Sequence, residues 1–146
     1  MYAEVGKSSL TALKAYLRAL AKPFTEEHEM TVDPTRADDA LLSLAASHCR
    51  PGAPKLADAD LATHLAALPG WSRHADRLEK SFAFADYHAT IGFVNALAWI
   101  ANREDHHPDL HVGYNRCTVA WSTHDAGGIT RNDVVCAAKT DRLVAS

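Results

Sequence analysis

Residues 87–108 read YHATIGFVNALAWIANREDHHP, and the change of character at the end of this stretch decides the fold. Ile91, Val94, Leu97, Ala98 and Ala101 recur at helical spacing, and Phe93 and Ile100 widen the stripe. The pattern predicts a largely buried helix over residues 87–105. Pro108 has no main-chain N–H and cannot continue it, so the His106-His107 pair falls at the helix C-terminus. On both sides of this helix the apolar period drops to two. Upstream, residues 71–73 and 78–84 read as short strands around residues 74–77, with Phe82 and Phe84 on one face. Downstream, residues 110–114 and 118–123 form a hairpin turning near Asn115 and Arg116. Val119 and Trp121 share one of its faces, and Ala120, Ser122 and His124 share the parity of the other.

Helices bracket these strand pairs. Leu61, Leu65 and Leu68 make a stripe over residues 58–68 that Pro69-Gly70 stops, and Thr130-Arg131-Asn132-Asp133 has the form of a capping box opening a last helix through Val134, Val135, Ala138 and Leu143. The order is α-β-β-α-β-β-α. Short connections within each strand pair predict an α+β fold, a four-stranded antiparallel sheet with helices packed on one face. Ahead of it, Leu41, Leu42, Leu44 and Ala45 suggest a helix over residues 33–50, broken by Arg50-Pro51-Gly52-Ala53-Pro54. Residues 1–22 form a basic amphipathic segment, with Leu10, Leu13, Leu17 and Leu20 among Lys7, Lys14, Arg18 and Lys22. It is read as a helix packed on the domain or on a partner rather than as a membrane-surface segment. The expected organisation is an N-terminal helical extension over residues 1–50 and a domain over residues 51–146. Translation could begin at either Met1 or Met30.

The 146 residues suffice for one ordinary core and not for two large ones. Hydrophobic residues make up 47%, charged residues 23%, and the formal net charge is -3, so nothing electrostatic points to a nucleic-acid partner. Cys49, Cys117 and Cys136 are odd in number and lack CxxC spacing. They support neither a disulfide framework nor a thiolate zinc site and fit a reducing compartment. No apolar run approaches the roughly 18 residues that span a bilayer, and no secretory pattern opens the chain. A cytoplasmic protein with no membrane partner is expected.

The chemistry-bearing residues follow the long helix: His106, His107, His124 and Asp133. Histidine titrates near neutrality, so such a cluster can give and take protons without a metal. A His-His pair alone would serve merely to complement the negative pole of a helix. A metal site built from His106, His107, His111 and His124 lacks the i, i+4 spacing that brings ligands onto one ion, and no metal is expected. Asp133 has two uses open to it, orienting a histidine or closing the capping box. Trp121 is expected in the core. Trp71, just after Pro69-Gly70, is open to either core packing or stacking on a flat ligand.

From about residue 56 to residue 143 the chain resembles the pterin-4a-carbinolamine dehydratases, also called 4a-hydroxytetrahydrobiopterin dehydratases. The matching segments are Leu68-Pro69-Gly70-Trp71, Phe82-Ala83-Phe84, Glu104-Asp105-His106-His107-Pro108-Asp109, Tyr114-Asn115, Ser122-Thr123-His124-Asp125 and Thr130-Arg131-Asn132-Asp133. The resemblance implies dehydration of a 4a-hydroxytetrahydropterin to a quinonoid dihydropterin and water, the recycling step after aromatic amino-acid hydroxylation. It implies no metal or organic cofactor, a homodimer or homotetramer, and an aromatic amino-acid hydroxylase in the same pathway. The family's catalytic histidines fall on His106, His107 and His124, and its aspartate on Asp133. His107 and His124 are expected to be the proton-transfer pair, with His106 binding substrate or assisting as an acid. Asn102, Glu104, Asp105, Trp71, Ser122 and Thr123 are the candidates for substrate binding. Asn102 stands where the family usually has an acid; an amide can hydrogen-bond but supplies no counter-charge, which leaves Glu104 or Asp105 to compensate. Some relatives act as dimerisation partners of transcription factors, so a non-catalytic coactivator-type module is the alternative function. Residues 1–50 lie outside the resemblance.

Overall fold

The computed structural model describes residues 34–145; the basic segment over residues 1–22 and the choice between Met1 and Met30 lie outside the described residues. In chain order the elements are α1 (Pro34–Ala46), α2 (Asp58–Ala66), β1 (Ser72–His74), β2 (Arg77–Ala83), α3 (Tyr87–Glu104), β3 (Asp109–Val112), β4 (Arg116–Trp121), a 3-10 turn (His124–Ala126) and α4 (Arg131–Arg142). The strands form one antiparallel sheet in the order β1-β2-β4-β3. This is the α+β architecture that the sequence predicts. Among the described residues no helix is long and apolar enough to cross a membrane.

Strand alternation explains why the helices gather on one face. Leu78 and Phe82 of β2, and Cys117, Val119 and Trp121 of β4, are buried. Across the ladder Leu78 opposes Trp121 and Phe82 opposes Cys117, so these side chains form one continuous apolar face. Leu97 and Ala101 of α3 and Val134, Ala137 and Ala138 of α4 complete the core above it. Phe93 meets both Phe82 and Phe84 at ring-centroid distances of 5.0 Å. Helix α1 joins the same core through Leu44, although the sequence reading assigns it to the 1–50 extension. Lys139 of α4 also donates to the Ala45 carbonyl at 2.9 Å.

Local chemistry sets the ends of α3. Asp86 caps its start, accepting from the Ala89 N–H at 2.8 Å. At the other end Asp105 adopts the left-handed conformation (φ 48°, ψ 41°), which a short polar side chain tolerates better than most. The His106 N–H then reaches back to the Ala101 carbonyl at 3.1 Å, the closing bond of a Schellman-type turn. The helix therefore ends before Pro108 is reached, and the chain turns as His106 begins. The strand parity read for His124 does not hold. β4 stops at Trp121, and His124 opens the 3-10 turn, which Gly127 closes in the left-handed region (φ 63°).

Candidate active site

His106 leaves the turn after α3 and is fixed on two sides. Its imidazole lies over the Trp121 indole, with ring centroids 5.4 Å apart and planes 17° from parallel. Its Nε2 is 2.7 Å from Asp133 Oδ1. A carboxylate oxygen accepts, so Nε2 carries the hydrogen and Nδ1 is the ring nitrogen left for a substrate. The two readings of Asp133 prove compatible, because each is served by a different oxygen. While Oδ1 faces His106, Oδ2 accepts from the Thr130 N–H at 2.8 Å and from the Thr123 hydroxyl at 2.9 Å. Thr130 completes the capping box of α4. Asp133 itself is fully buried, and its donors are the sort of compensation that a buried carboxylate needs.

This pair borders a cleft of about 480 Å³ whose lining includes Arg50, Lys55, Asp105, His106, Thr123 and Asn132. His107 is exposed immediately after His106, and His124 is exposed between Thr123 and Asp125, both of which line the cleft. The three histidines thus occupy two chain segments that meet at Asp133. Only His106 itself is a lining residue. Of the substrate-binding candidates, Asp105 and Thr123 line the cleft, whereas Asn102, Glu104, Ser122 and Trp71 do not. Among the described residues no group of three or more His, Cys, Asp or Glu side chains is placed to hold a metal ion.

Trp71 is a core residue, 6% exposed, with its ring edge-on to Phe82 at 6.0 Å. The Pro69-Gly70 turn directs it inward, and it does not line the cleft beside His106. Glu104 faces away from the cleft as well. It lines a separate groove of about 420 Å³ bordered by α1, α3 and α4. There it accepts from the Cys49 N–H at 2.8 Å and lies 3.1 Å from His48 Nδ1 and 3.2 Å from Lys139 Nζ. Burial alone would raise its pKa, but the Cys49 N–H, His48 and Lys139 outweigh it and hold the carboxyl below its ordinary value.

The residues that sequence reasoning missed sit in the loop over residues 50–55, which it reads only as a proline-glycine break after a helix. Asn132 holds this loop from α4: its Oδ1 accepts from the Arg50 N–H at 3.0 Å and its Nδ2 donates to the Arg50 carbonyl at 2.9 Å. The Leu56 N–H is bonded to the Ile129 carbonyl at 2.9 Å. Arg50 and Lys55 thereby bring two cationic side chains to the cleft wall. The one available signal was a proline-glycine loop with a basic residue at each end.

Comparison with known proteins bears on the family and the fold. Residues 54–143 match the family model described as pterin 4 alpha carbinolamine dehydratase. A protein of Chromobacterium violaceum is 53% identical over 104 residues, covering 70% of this chain and 96% of its own length. One of Stenotrophomonas maltophilia is 53% identical over 108 residues, covering 70% and 93%. Both bear the name "Putative pterin-4-alpha-carbinolamine dehydratase". The crystal structure of a transcriptional coactivator/pterin dehydratase from Brucella melitensis superposes with a TM-score of 0.61 at 31% identity, over 62% of this chain and 99% of that one.

Proposed function

The chain belongs to the pterin 4 alpha carbinolamine dehydratase family, and from that premise we propose that it removes water from a 4a-hydroxytetrahydropterin by histidine acid-base catalysis, in tetrahydropterin recycling. Losing the 4a-hydroxyl requires a proton on the departing oxygen, while N5 of the ring gives up its own as the C=N bond forms. One acid and one base suffice, and the product is a quinonoid dihydropterin plus water. His107 and His124 are the proposed proton-transfer pair. His106, held by Asp133, binds the substrate and can assist as an acid. The observation that carries this reading is the 2.7 Å contact between His106 and a fully buried Asp133 at the edge of a cleft. It fixes one ring nitrogen and frees the other, an arrangement that a solvated surface histidine does not need. Asp105 and Thr123 remain as proposed substrate contacts, and Arg50 and Lys55 join them. The proposed reaction uses no metal or organic cofactor. A homodimer or homotetramer, a cytoplasmic location and an aromatic amino-acid hydroxylase that supplies the substrate belong to the same proposal.

A second reading, a non-catalytic dimerisation or coactivator-type module, is favoured by the exposed aromatic side chains: Trp99 is 61% exposed and Tyr114 70%. One assay separates the two. Dehydration of 4a-hydroxytetrahydropterin is followed with chelator-treated wild-type protein, His107→Ala and His124→Ala. The enzyme reading expects activity that survives chelation and falls roughly 100- to 10,000-fold in each variant while both stay folded. An inactive, folded wild-type protein leaves the binding module; activity lost on chelation means that a metal takes part; unchanged rates in both variants remove the assigned histidine roles.

A further inference from the structure

We propose that Cys49 and Cys136 form a reversible intramolecular disulfide, an oxidation site that fixes one wall of the His106 cleft. The two sulfurs are 3.4 Å apart, although they come from opposite ends of the described chain. Cys136 is fully buried in α4, one turn beyond Asn132 and Asp133, and Cys49 is half-buried just after α1. A bonded S–S distance of about 2.05 Å asks for an approach of little more than an ångström. Val135, Ala137 and Ala138 around Cys136 are all fully buried, so the movement falls on the Cys49 side.

What lies on that side gives the bond its consequence. The Cys49 N–H is held by Glu104, the Arg50 main chain by the Asn132 side chain, and the following residues 50–55 line the cleft. In the thiol form the Arg50–Asn132 hydrogen bonds and a 3.7 Å contact of the Cys49 thiol with the Asn132 carbonyl hold this wall to α4. The disulfide adds a covalent attachment a single residue before the wall begins.

The oxidant required is a hydroperoxide. The Cys49 sulfur attacks a peroxide oxygen, the O–O bond breaks, water or an alcohol leaves, and Cys49 becomes a sulfenic acid. The Cys136 sulfur then attacks the sulfenyl sulfur; the S–S bond forms, the S–O bond breaks, and the hydroxyl leaves with the Cys136 proton as water. Two electrons pass from the two sulfurs to the peroxide. Exposure sets the order, since the half-buried Cys49 is the thiol that an oxidant can reach. Contact with Cys49 and burial push the Cys136 thiol up, which makes it the poorer nucleophile for the first attack. Cys117 is also fully buried, and burial pushes its thiol up. With both other cysteines paired elsewhere, it is the internal control.

The test treats the whole chain with hydrogen peroxide, alkylates the remaining thiols, and reads intact mass, linked peptides, melting temperature and amide exchange. The expected result is a monomer lighter by two hydrogens, one alkylated thiol at Cys117 and a single linked peptide joining Cys49 to Cys136, all reversed by dithiothreitol. Its melting temperature rises by roughly 5–10 °C, and exchange slows over residues 50–55. Cys49→Ser abolishes every change. Cys136→Ala, placed beside Ala137 and Ala138, gives a second variant that keeps a helix-forming residue in α4. Oxygen atoms added at Cys49 without a link, a link to Cys117 or to a second molecule, or unmodified thiols after treatment overturn the disulfide. Unchanged exchange over residues 50–55 overturns its effect on the cleft wall.

Discussion

Asp133 and Glu104 are both buried carboxylates, one fully and one with a side chain 5% exposed, yet their donors differ in kind. Asp133 takes an imidazole on one oxygen and, on the other, the Thr130 N–H of its own helix start and the hydroxyl of Thr123, which precedes the 3-10 turn. Glu104 takes the Cys49 main chain, the amino group of Lys139 and the exposed His48. The first arrangement ties a titratable ring to a cleft; the second ties a chain segment to the core. Burial of a carboxylate therefore says little about function until its donors are identified, and the two residues should fail in different measurements.

The largest effect that separates them is expected from Asp133→Asn. An amide offers a single acceptor oxygen, and its NH2 would face either the His106 Nε2–H or the Thr123 and Thr130 donors. Losing a hydrogen bond to a charged group costs about 1.5–3 kcal/mol, so kcat for the proposed dehydration should fall roughly 10- to 100-fold. Full activity with a lowered melting temperature would reduce Asp133 to a helix cap.

Glu104→Gln comes next, with the opposite signature. The amide keeps the shape but weakens the contacts of Cys49 and Lys139, for a loss of about 2 kcal/mol, or roughly 5–10 °C in melting temperature, with kcat near that of the wild type. The pH dependence gives the sign. The folded-state pKa of Glu104 is depressed, so its contribution is complete at neutral pH, above the ordinary glutamate value of 4.5. It is lost as the pH falls through the depressed value. The stability gap between wild type and variant should therefore narrow below about pH 4.5, as urea unfolding at several pH values would measure. A gap that widens on acidification, or a kcat that falls as far as in Asp133→Asn, would erase the contrast between the two carboxylates.

Asp133 was legible in the sequence and the role of Glu104 was not, for a physical reason. The capping box is local: Thr130 and Asp133 are three residues apart, and the pattern carries its own geometry. The family spacing paired Asp133 with a histidine without saying which, and the structure supplies His106. Glu104 looked like a neighbour of the site because it is two residues from His106 in sequence. The left-handed turn at Asp105 sends the following residues elsewhere, and two of the Glu104 partners, His48 and Cys49, lie in a segment outside the resemblance. The same limit hid the loop over residues 50–55, the packing of α1 through Leu44 and the Cys49 contact with Cys136. Each depends on long-range packing, which apolar periodicity does not encode. The helices and strands of the core domain were legible because their periods change sharply at Pro69-Gly70, at Pro108 and at Thr130.

Trp71→Phe gives the smallest expected effect and extends the comparison to a neutral side chain. Trp71 was a candidate because a flat aromatic can stack on a flat ligand, and it faces the core. Among the described residues its buried indole Nε1 has no hydrogen-bond partner, and a buried donor left unpaired carries a penalty of about 1–3 kcal/mol. Phenylalanine removes that donor while leaving a smaller ring edge-on to Phe82, and the small void it opens costs a similar amount. The two contributions oppose each other, so stability should change by less than about 1 kcal/mol, and KM for a pterin substrate should not move. A rise in KM of tenfold or more, with the fold intact, would mean that the indole meets the substrate after all.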